Sequence, residues 1–262
     1  MAPPSAPSRR RLPAALLLLL ALLVGVACDE KAAEDGGPAA KDPPEEGFTL
    51  PAWGALNADV VKVLATYPKD GTHRYHWPKE GPWLGLTRTL VYDGETVGAG
   101  DPEGRCYCCG LTFEVFFRAW ERWCRREERP FVIGNLDVAG VKRLVRAWFG
   151  SNGDRTTVLG ALEGFGLGAR VEDWEAAEPG DFVQLWRHSG SGHSCVFLAW
   201  LRDEEGRIQG LRYWSTQSST NGIGIREERF GEEGASLDRD AFHLARVGRP
   251  APGEDRAPDA GR

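Results

Sequence analysis

The chain has 262 residues, a formal net charge of −6 at pH 7, 42% hydrophobic residues and 27% charged residues. This length supports one sizeable core or at most two small ones. Because an acidic surface repels the phosphate backbone, the net charge argues against nucleic acid as a partner.

Residues 1–27 have the three parts of a secretory signal peptide. Arginines occupy 9–11, leucines dominate 16–23, and the small residues 25–27 come directly before Cys28. The apolar run is shorter than the roughly 20 residues that a transmembrane helix needs. The pattern resembles a bacterial lipobox, which implies acylation of Cys28; a plain cleaved signal and an uncleaved anchor helix are the alternatives. The sequence therefore predicts a lipoprotein of the bacterial cell envelope, attached to the membrane through its lipid and facing the periplasm or the exterior.

Two segments have the composition of disordered chain. Residues 28–49 and 249–262 are rich in charged residues, Pro, Gly and Ala, and such segments cannot bury enough apolar surface to fold. We predict a lipidated tether over 28–49 and a disordered tail over 249–262, on either side of one folded domain over 50–248.

Helices dominate the first half of the predicted domain. The clearest signal lies in 108–125, where apolar residues recur at the spacing of one helix face. Shorter periodic segments with capping and turn signals precede and follow it. The predicted elements are a helix over 58–66 capped by Asn57, a strand over 87–92 ending at an Asp93-Gly94 turn, and helices over 108–125, 137–148 and 157–162.

Four β-rich segments separated by turns follow the helices. They cover 182–186, 195–201, 208–214 and 223–230. Helices followed by consecutive strands predict an α+β fold, with N-terminal helices packed on an antiparallel β-sheet.

Cys106, Cys108 and Cys109 open the longest predicted helix. A thiol at a helix N-terminus lies at the positive end of the macrodipole, beside backbone N–H groups that lack a helical acceptor. Both features favour the thiolate, and the same N–H groups could hold an oxyanion. The position predicts a nucleophile, with Cys108 as the favoured residue and Cys109 or Cys106 as alternatives.

Other interpretations of the cysteines stay open. The cluster could be purely structural, or it could bind zinc together with His188, His193 and Cys195, although the spacing is not the usual Cys-x2-Cys form. Cys124 could pair with Cys195 in a disulfide. The leading interpretation needs neither a metal nor a cofactor.

A candidate general base lies downstream. His193 follows a glycine-rich turn at the start of an apolar strand, where backbone hydrogen bonds would fix its orientation. Gln217 follows the next β-rich segment, at the level where adjacent strands would bring it near His193. We therefore predict that Gln217 orients the imidazole.

These residues lie in motifs that resemble those of the NlpC/P60 cysteine peptidases. Residues 108–111 are similar to the family's Cys-Ser-Gly-Leu, and 179–183 to its Pro-Gly-Asp-Leu-Val. Residues 192–198 are similar to Gly-His-Val-Gly-Ile-Tyr, and 217–222 lie where members often have His-Ala-Ser-Ser. The resemblance covers about 105–225 and rests on short motifs.

The resemblance implies a papain-like fold in which Cys108 is the nucleophile, His193 the base and Gln217 the orienting residue. Members commonly cleave peptide or amide bonds in cell-wall peptidoglycan. The chain departs from the family at Tyr107, where members have Asp, and at Cys109, where they have Ser; His is commoner than Gln at the third position.

Two regions are expected to influence which substrate binds: the region before the nucleophile and the insert after it. Trp77 lies in a Pro/Gly-rich region, and 126–179 form an insert that is atypical of the family. We predict that Trp77, Tyr107 and Cys109 contact the substrate.

The leading hypothesis is thus an envelope-anchored cysteine hydrolase that cleaves a peptide or amide bond, with peptidoglycan as the substrate that the family implies. The alternative is a non-catalytic cell-wall-binding lipoprotein with the same fold. A thiol-disulfide or metal protein is a third class that the cysteine cluster allows.

Overall fold

In the computed structural model, residues 50–78, 85–151 and 153–248 are described. The predicted signal peptide, Cys28, the tether and the tail lie outside the described residues. No helix within the described ranges is long and apolar enough to cross a membrane. The helices are α1 (Asn57–Leu64), α2 (Cys108–Arg126), α3 (Val138–Trp148) and α4 (Val158–Gly164), and the strands are β1 (Leu90–Tyr92), β2 (Glu95–Gly98), β3 (Gly168–Arg170), β4 (Phe182–Trp186), β5 (Gly192–Arg202), β6 (Ile208–Gln217), β7 (Gly222–Arg229) and β8 (His243–Val247).

The strands confirm the predicted α+β class. β4 to β7 form the expected antiparallel series, and β1 and β2 form a separate hairpin. Two strands that periodicity does not predict complete a six-stranded sheet with the order β3-β8-β4-β5-β6-β7. β8 returns from the end of the domain to pair with β4, with Leu244 opposite Val183, and β3 pairs with β8.

Helix α2 lies at the centre of the core and packs against β5 and β6. All the apolar positions whose spacing predicts this helix are buried. Every residue of its first half, 108–117, is buried. The segment that contains Gly85 lies directly against its first turn. Gly110 permits this approach, since a Cβ at that position would collide with the Gly85 carbonyl.

The predicted cap of the first helix is wrong. α1 begins at Asn57 itself, and Leu56, at the cap position, makes no side-chain capping bond. The buried Asn57 amide instead donates to Oδ1 of Asp181 at 2.8 Å. Burial places the side chain beside a carboxylate, so the amide is used as a donor and not as a capping acceptor.

The proposed disulfide between Cys124 and Cys195 is also wrong. Both thiols are free and buried. Cys124 belongs to the main hydrophobic cluster around α2, whereas Cys195 belongs to a second cluster with Val183 and Tyr213. The two cysteines therefore pack in different parts of the core.

Candidate active site

A cavity of about 410 Å³ opens beside the start of α2. Cys108 and Cys109 contribute to its wall from the helix, and His193 and Ser194 contribute from β5. The fold thus brings the predicted nucleophile and the predicted base, which are far apart in sequence, to one concave site.

The backbone at the start of α2 has N–H groups without a backbone acceptor. Tyr107 precedes the helix in an extended conformation, with φ −135° and ψ 167°, and makes no side-chain capping bond. The first helical hydrogen bond runs from the Leu111 N–H to the Tyr107 carbonyl at 2.9 Å. The N–H groups of 108–110 therefore have no backbone acceptor within the helix, although those of Cys109 and Gly110 contact the Cys109 thiol. The positive end of the helix dipole lies at Cys108.

The surroundings of Cys108 favour its thiolate. A hydrogen bond from the Cys109 thiol has the largest effect and lowers the pKa of Cys108. The positive charge of His193, a hydrogen bond from His193 and one from the Ser194 N–H lower this pKa further. Together they outweigh burial, which opposes ionisation, and hold the pKa of Cys108 well below that of an ordinary thiol.

The other described cysteines have the opposite tendency. Burial raises the pKa of Cys106 to about 12. Burial also raises the pKa of Cys109, Cys124 and Cys195, and the hydrogen bond that Cys109 gives to Cys108 adds to the effect on Cys109. Among the alternatives that the sequence leaves open, these environments favour Cys108 as the nucleophile.

His193 lies on β5 and Gln217 at the end of β6. The two strands pair as far as Val196 opposite Trp214, and the same register, if extended, would place His193 opposite Gln217. Both side chains are buried, and the Nε2 atom of each has no hydrogen-bond partner among the described residues. A hydrogen bond from His193 is also one of the interactions that lower the pKa of Cys108.

Two of the three predicted substrate-binding residues line the cavity. Trp77 and Cys109 are part of its wall, whereas Tyr107 is not. The Trp77 ring is 54% exposed and meets Tyr107 edge-on, with 4.8 Å between ring centroids. Tyr107 is buried between Trp77 and Phe149, whose ring lies 5.7 Å away. Tyr107 therefore supports the wall from behind.

The insert of 126–179 builds another part of the wall. Asp137 caps α3 by accepting from the Gly140 N–H at 2.6 Å, and α3 ends at Trp148. The Trp148 indole donates to Thr112 of α2 at 3.1 Å, which fixes the insert on the central helix. Trp148 and Phe149 then face the cavity and give it an apolar surface.

Tyr75 is a cavity residue that the sequence analysis does not single out. Burial, followed by the nearby charges of Cys108 and Cys109, raises the pKa of Tyr75 to about 12. Its hydroxyl therefore stays a hydrogen-bond donor at a pH where Cys108 is ionised. Tyr75 lies two residues before Trp77 in an extended segment, so the two side chains are expected on the same side of the chain. This spacing is the sequence feature that could have identified Tyr75 as a cavity residue.

Thr157 and Gln184 also line the cavity and were missed. The buried Oγ1 of Thr157 has no partner among the described residues, and its backbone has a positive φ of 37°, which is unusual for a β-branched residue. Gln184 accepts from the Ser194 hydroxyl at 2.6 Å, next to the N–H that bonds Cys108. No local sequence pattern marks either residue.

The zinc interpretation is not supported by the described ranges. They contain no group of three or more His, Cys, Asp or Glu side chains that could hold a metal ion. His188 is turned away, with Nε2 at 2.9 Å from the Gly231 carbonyl.

Comparison of the chain with protein-family models, with curated proteins and with solved structures found no match.

Proposed function

We propose that this protein is a cysteine hydrolase that cleaves a peptide or amide bond by acyl transfer through Cys108. The observation that carries the proposal is that Cys108, at the start of α2, and His193, on β5, line one cavity. The lowered pKa of Cys108 beside the raised pKa values of the other described thiols supports it. Thiols with perturbed pKa values that lie in a cavity are typical of functional sites. The order of Cys108 at a helix start, His193 on a strand and Gln217 on the next strand supports a papain-like fold of the NlpC/P60 type.

The proposed reaction has two steps. The Cys108 thiolate attacks the carbonyl carbon, and the C–N bond breaks as His193 gives its proton to the leaving amine. His193 then takes a proton from water, whose oxygen attacks the resulting thioester; the carboxylic acid is released, and the Cys108 thiolate and protonated His193 are restored. The backbone N–H groups at the start of α2 and the Tyr75 hydroxyl are the donors proposed for the oxyanion.

Cell-wall peptide is the substrate that we propose from the sequence, and the cavity walls add a constraint. Aromatic rings from three separate segments face the cavity: Tyr75, Trp77, Trp148, Phe149 and Trp186. Burying an unpaired charge against such walls is costly. We propose that the part of the substrate inside the cavity is uncharged, and that any acidic group of the peptide lies outside it.

Release of soluble fragments from purified peptidoglycan, together with hydrolysis of a panel of uncharged and acidic N-acyl amides, tests this function by mass spectrometry. We expect Cys108→Ala to abolish product formation. Cys124→Ala is the matched control, because it removes a buried thiol from the other end of the same helix and leaves the cavity intact. Cleavage by Cys108→Ala at the parent's rate would refute the proposal.

A non-catalytic cell-wall-binding protein is the second candidate. The exposed Trp77 ring at the cavity rim favours it, since such rings bind ligands without any chemistry. Sedimentation with insoluble peptidoglycan distinguishes the two. Binding of the parent without release of fragments supports the binding protein.

We also propose export and anchoring through acylation of Cys28, with the domain held at the bacterial cell envelope. This proposal rests on residues 1–28 of the sequence. The intact mass of the membrane fraction should show a mature N-terminus at a diacylated Cys28. Cys28→Ser should move the protein out of the membrane fraction, and membrane retention of that variant would contradict the lipid anchor.

A further inference from the structure

Arg155, on the insert, lies at the rim of the cavity. Its guanidinium carbon is 4.6 Å from the centroid of the Trp186 ring, which is part of the cavity wall. The Trp186 indole also donates to the Arg155 carbonyl at 2.7 Å, and Thr157, two residues further on, lines the cavity. The backbone and the side chain of Arg155 are thus both held against one lining residue, although the side chain is exposed.

The charge of Arg155 is not used in an ion pair within the described ranges, where its guanidinium contacts the Trp186 ring. The nearby acids have other partners. Glu172 lies 3.6 Å from Nε of Arg170. The oxygens of Asp154 accept from the N–H and the hydroxyl of Thr156 at 2.8 and 2.7 Å. The guanidinium of Arg155 therefore keeps its hydrogen-bond donors for solvent or for a ligand.

The cavity wall suits a ligand that carries its charge at the rim. Its described residues include no acidic side chain, so an anionic group that approaches Arg155 along the wall meets no carboxylate there. Deeper in the cavity, burial against the aromatic rings would be costly for an ion. At the rim the ion stays in contact with water, and a guanidinium presents its N–H groups in a planar fork that matches the two oxygens of a carboxylate.

We infer that Arg155 is a specificity-determining residue that binds a carboxylate of the substrate at the rim, while the uncharged part of the substrate occupies the cavity. The identity of the ligand as a substrate rests on the proposed hydrolase function, but the charge preference itself needs no turnover. An exposed ion pair is weak and is screened by salt. Arg155 therefore selects among ligands that already fit the cavity and does not supply most of their affinity.

Bromoacetyl labels of matched shape test this charge preference at Cys108. N-bromoacetyl-β-alanine carries a carboxylate, and N-bromoacetyl-β-alaninamide carries a neutral amide in its place. The glycine and 4-aminobutyrate homologues place this group nearer to and further from the reactive carbon. In each reaction the Cys108 thiolate displaces bromide from that carbon and forms a thioether, so no hydrolysis is needed. Mass spectrometry of the Cys108 peptide gives the rate constants.

The readout is the ratio of the rate constant of the acidic label to that of its amide. A change in the reactivity of Cys108 affects both labels and cancels in this ratio. For at least one chain length, Arg155→Gln should lower the ratio by about fivefold, near the upper limit for an exposed ion pair. Added salt should reduce the difference between the parent and the variant. Because Arg155 is exposed, its replacement should leave the fold intact.

Arg129→Gln is the matched control for loss of a stacked arginine. The guanidinium carbon of Arg129 lies 5.3 Å from the centroid of the Trp123 ring, and neither residue lines the cavity. The variant removes the same charge from the protein, so its ratio should equal that of the parent.

Two results would overturn the inference. One is an unchanged ratio in Arg155→Gln at all three chain lengths, and the other is an equal fall in Arg129→Gln, which would reveal a general effect of net charge. Failure of the hydrolase proposal looks different: no Cys108-dependent product forms from peptidoglycan or from the amide panel, while the ratio of the labels still depends on Arg155.

Discussion

The cluster around Asp181 and the site around Cys108 are both buried and polar, but they differ in how completely their polar atoms are paired. Oδ1 of Asp181 accepts from Asn57 at 2.8 Å and from Arg246 at 2.7 Å. Oδ2 accepts from Arg246 and from the Glu178 N–H, both at 2.8 Å. Arg246 uses a further donor on the Ala176 carbonyl at 2.7 Å. Both oxygens of Asp181 therefore have hydrogen-bond donors, which is the arrangement expected of a cluster that stabilises the fold.

The Cys108 site keeps unpaired polar atoms. The buried Nε2 of His193 and Oγ1 of Thr157 have no partner within the part of the chain that the structure describes, and both residues line the cavity. Buried polar groups are normally paired, because leaving them unpaired costs free energy. The difference teaches that two buried polar centres can differ in pairing. The Asp181 cluster is fully paired, as a structural anchor is, whereas the Cys108 site leaves polar atoms available, as the proposed reaction requires.

The largest effect should come from breaking the anchor. Asp181→Ala leaves the Arg246 guanidinium buried without its main partner, and removing one member of a buried pair costs about 3–5 kcal/mol in the free energy of unfolding. Urea denaturation measures this loss. Asp203→Ala, which removes a surface ion pair with Arg207, should cost less than about 1 kcal/mol. Equal effects of the two variants would refute the structural role of Asp181.

Tyr75→Phe should act on the reaction and leave the fold intact. Loss of one oxyanion donor commonly lowers kcat by about 100- to 1,000-fold, or roughly 2.7–4 kcal/mol in the barrier. The assay is hydrolysis of the substrate that the Cys108-dependent panel identifies. Iodoacetamide alkylation of Cys108 forms no oxyanion, so its rate should change little. A variant with full kcat would show that Tyr75 only lines the cavity.

The pH dependence of Cys108 alkylation tests the role of His193. Only the thiolate reacts, and the lowered pKa of Cys108 keeps the thiolate populated as the pH falls below about 8.5, the ordinary thiol value. The rate should fall only when the pH passes below the lowered pKa. His193→Ala removes a positive charge and a hydrogen bond that both lower the pKa of Cys108, so this pKa rises, the alkylation rate at about pH 6 falls, and the midpoint of the curve moves to higher pH.

The same measurement separates the contribution of Cys109. Cys109→Ala removes the hydrogen bond that lowers the pKa of Cys108 most, so the midpoint of the alkylation curve should move to higher pH. Cys109→Ser keeps a donor in place and should move it less. If both variants move the midpoint equally, the bulk of the side chain at 109 matters and its hydrogen bond does not.

The sequence predicts what short-range patterns encode. Helical spacing predicts α2, and β-rich segments between turns predict β4 to β7. Strand β8 was missed because its position depends on pairing with β4, far away in the chain, and Asn57 was misassigned because its partner, Asp181, is equally distant. Residues with local context, such as Cys108, were singled out, whereas Thr157 reaches the cavity only through the packing of the insert.

The smallest effect on stability should come from Trp77. Its ring is 54% exposed, so Trp77→Ala should change the free energy of unfolding by less than about 0.5 kcal/mol. Trp148, which is fully buried and also lines the cavity, is the matched contrast, because truncating a buried Trp costs about 3–5 kcal/mol. If Trp77 binds substrate, its loss should raise KM several-fold with little change in kcat. An unchanged KM would show that Trp77 does not bind the substrate. Ligand binding would then depend on the deeper cavity walls, which the insert and β4 form.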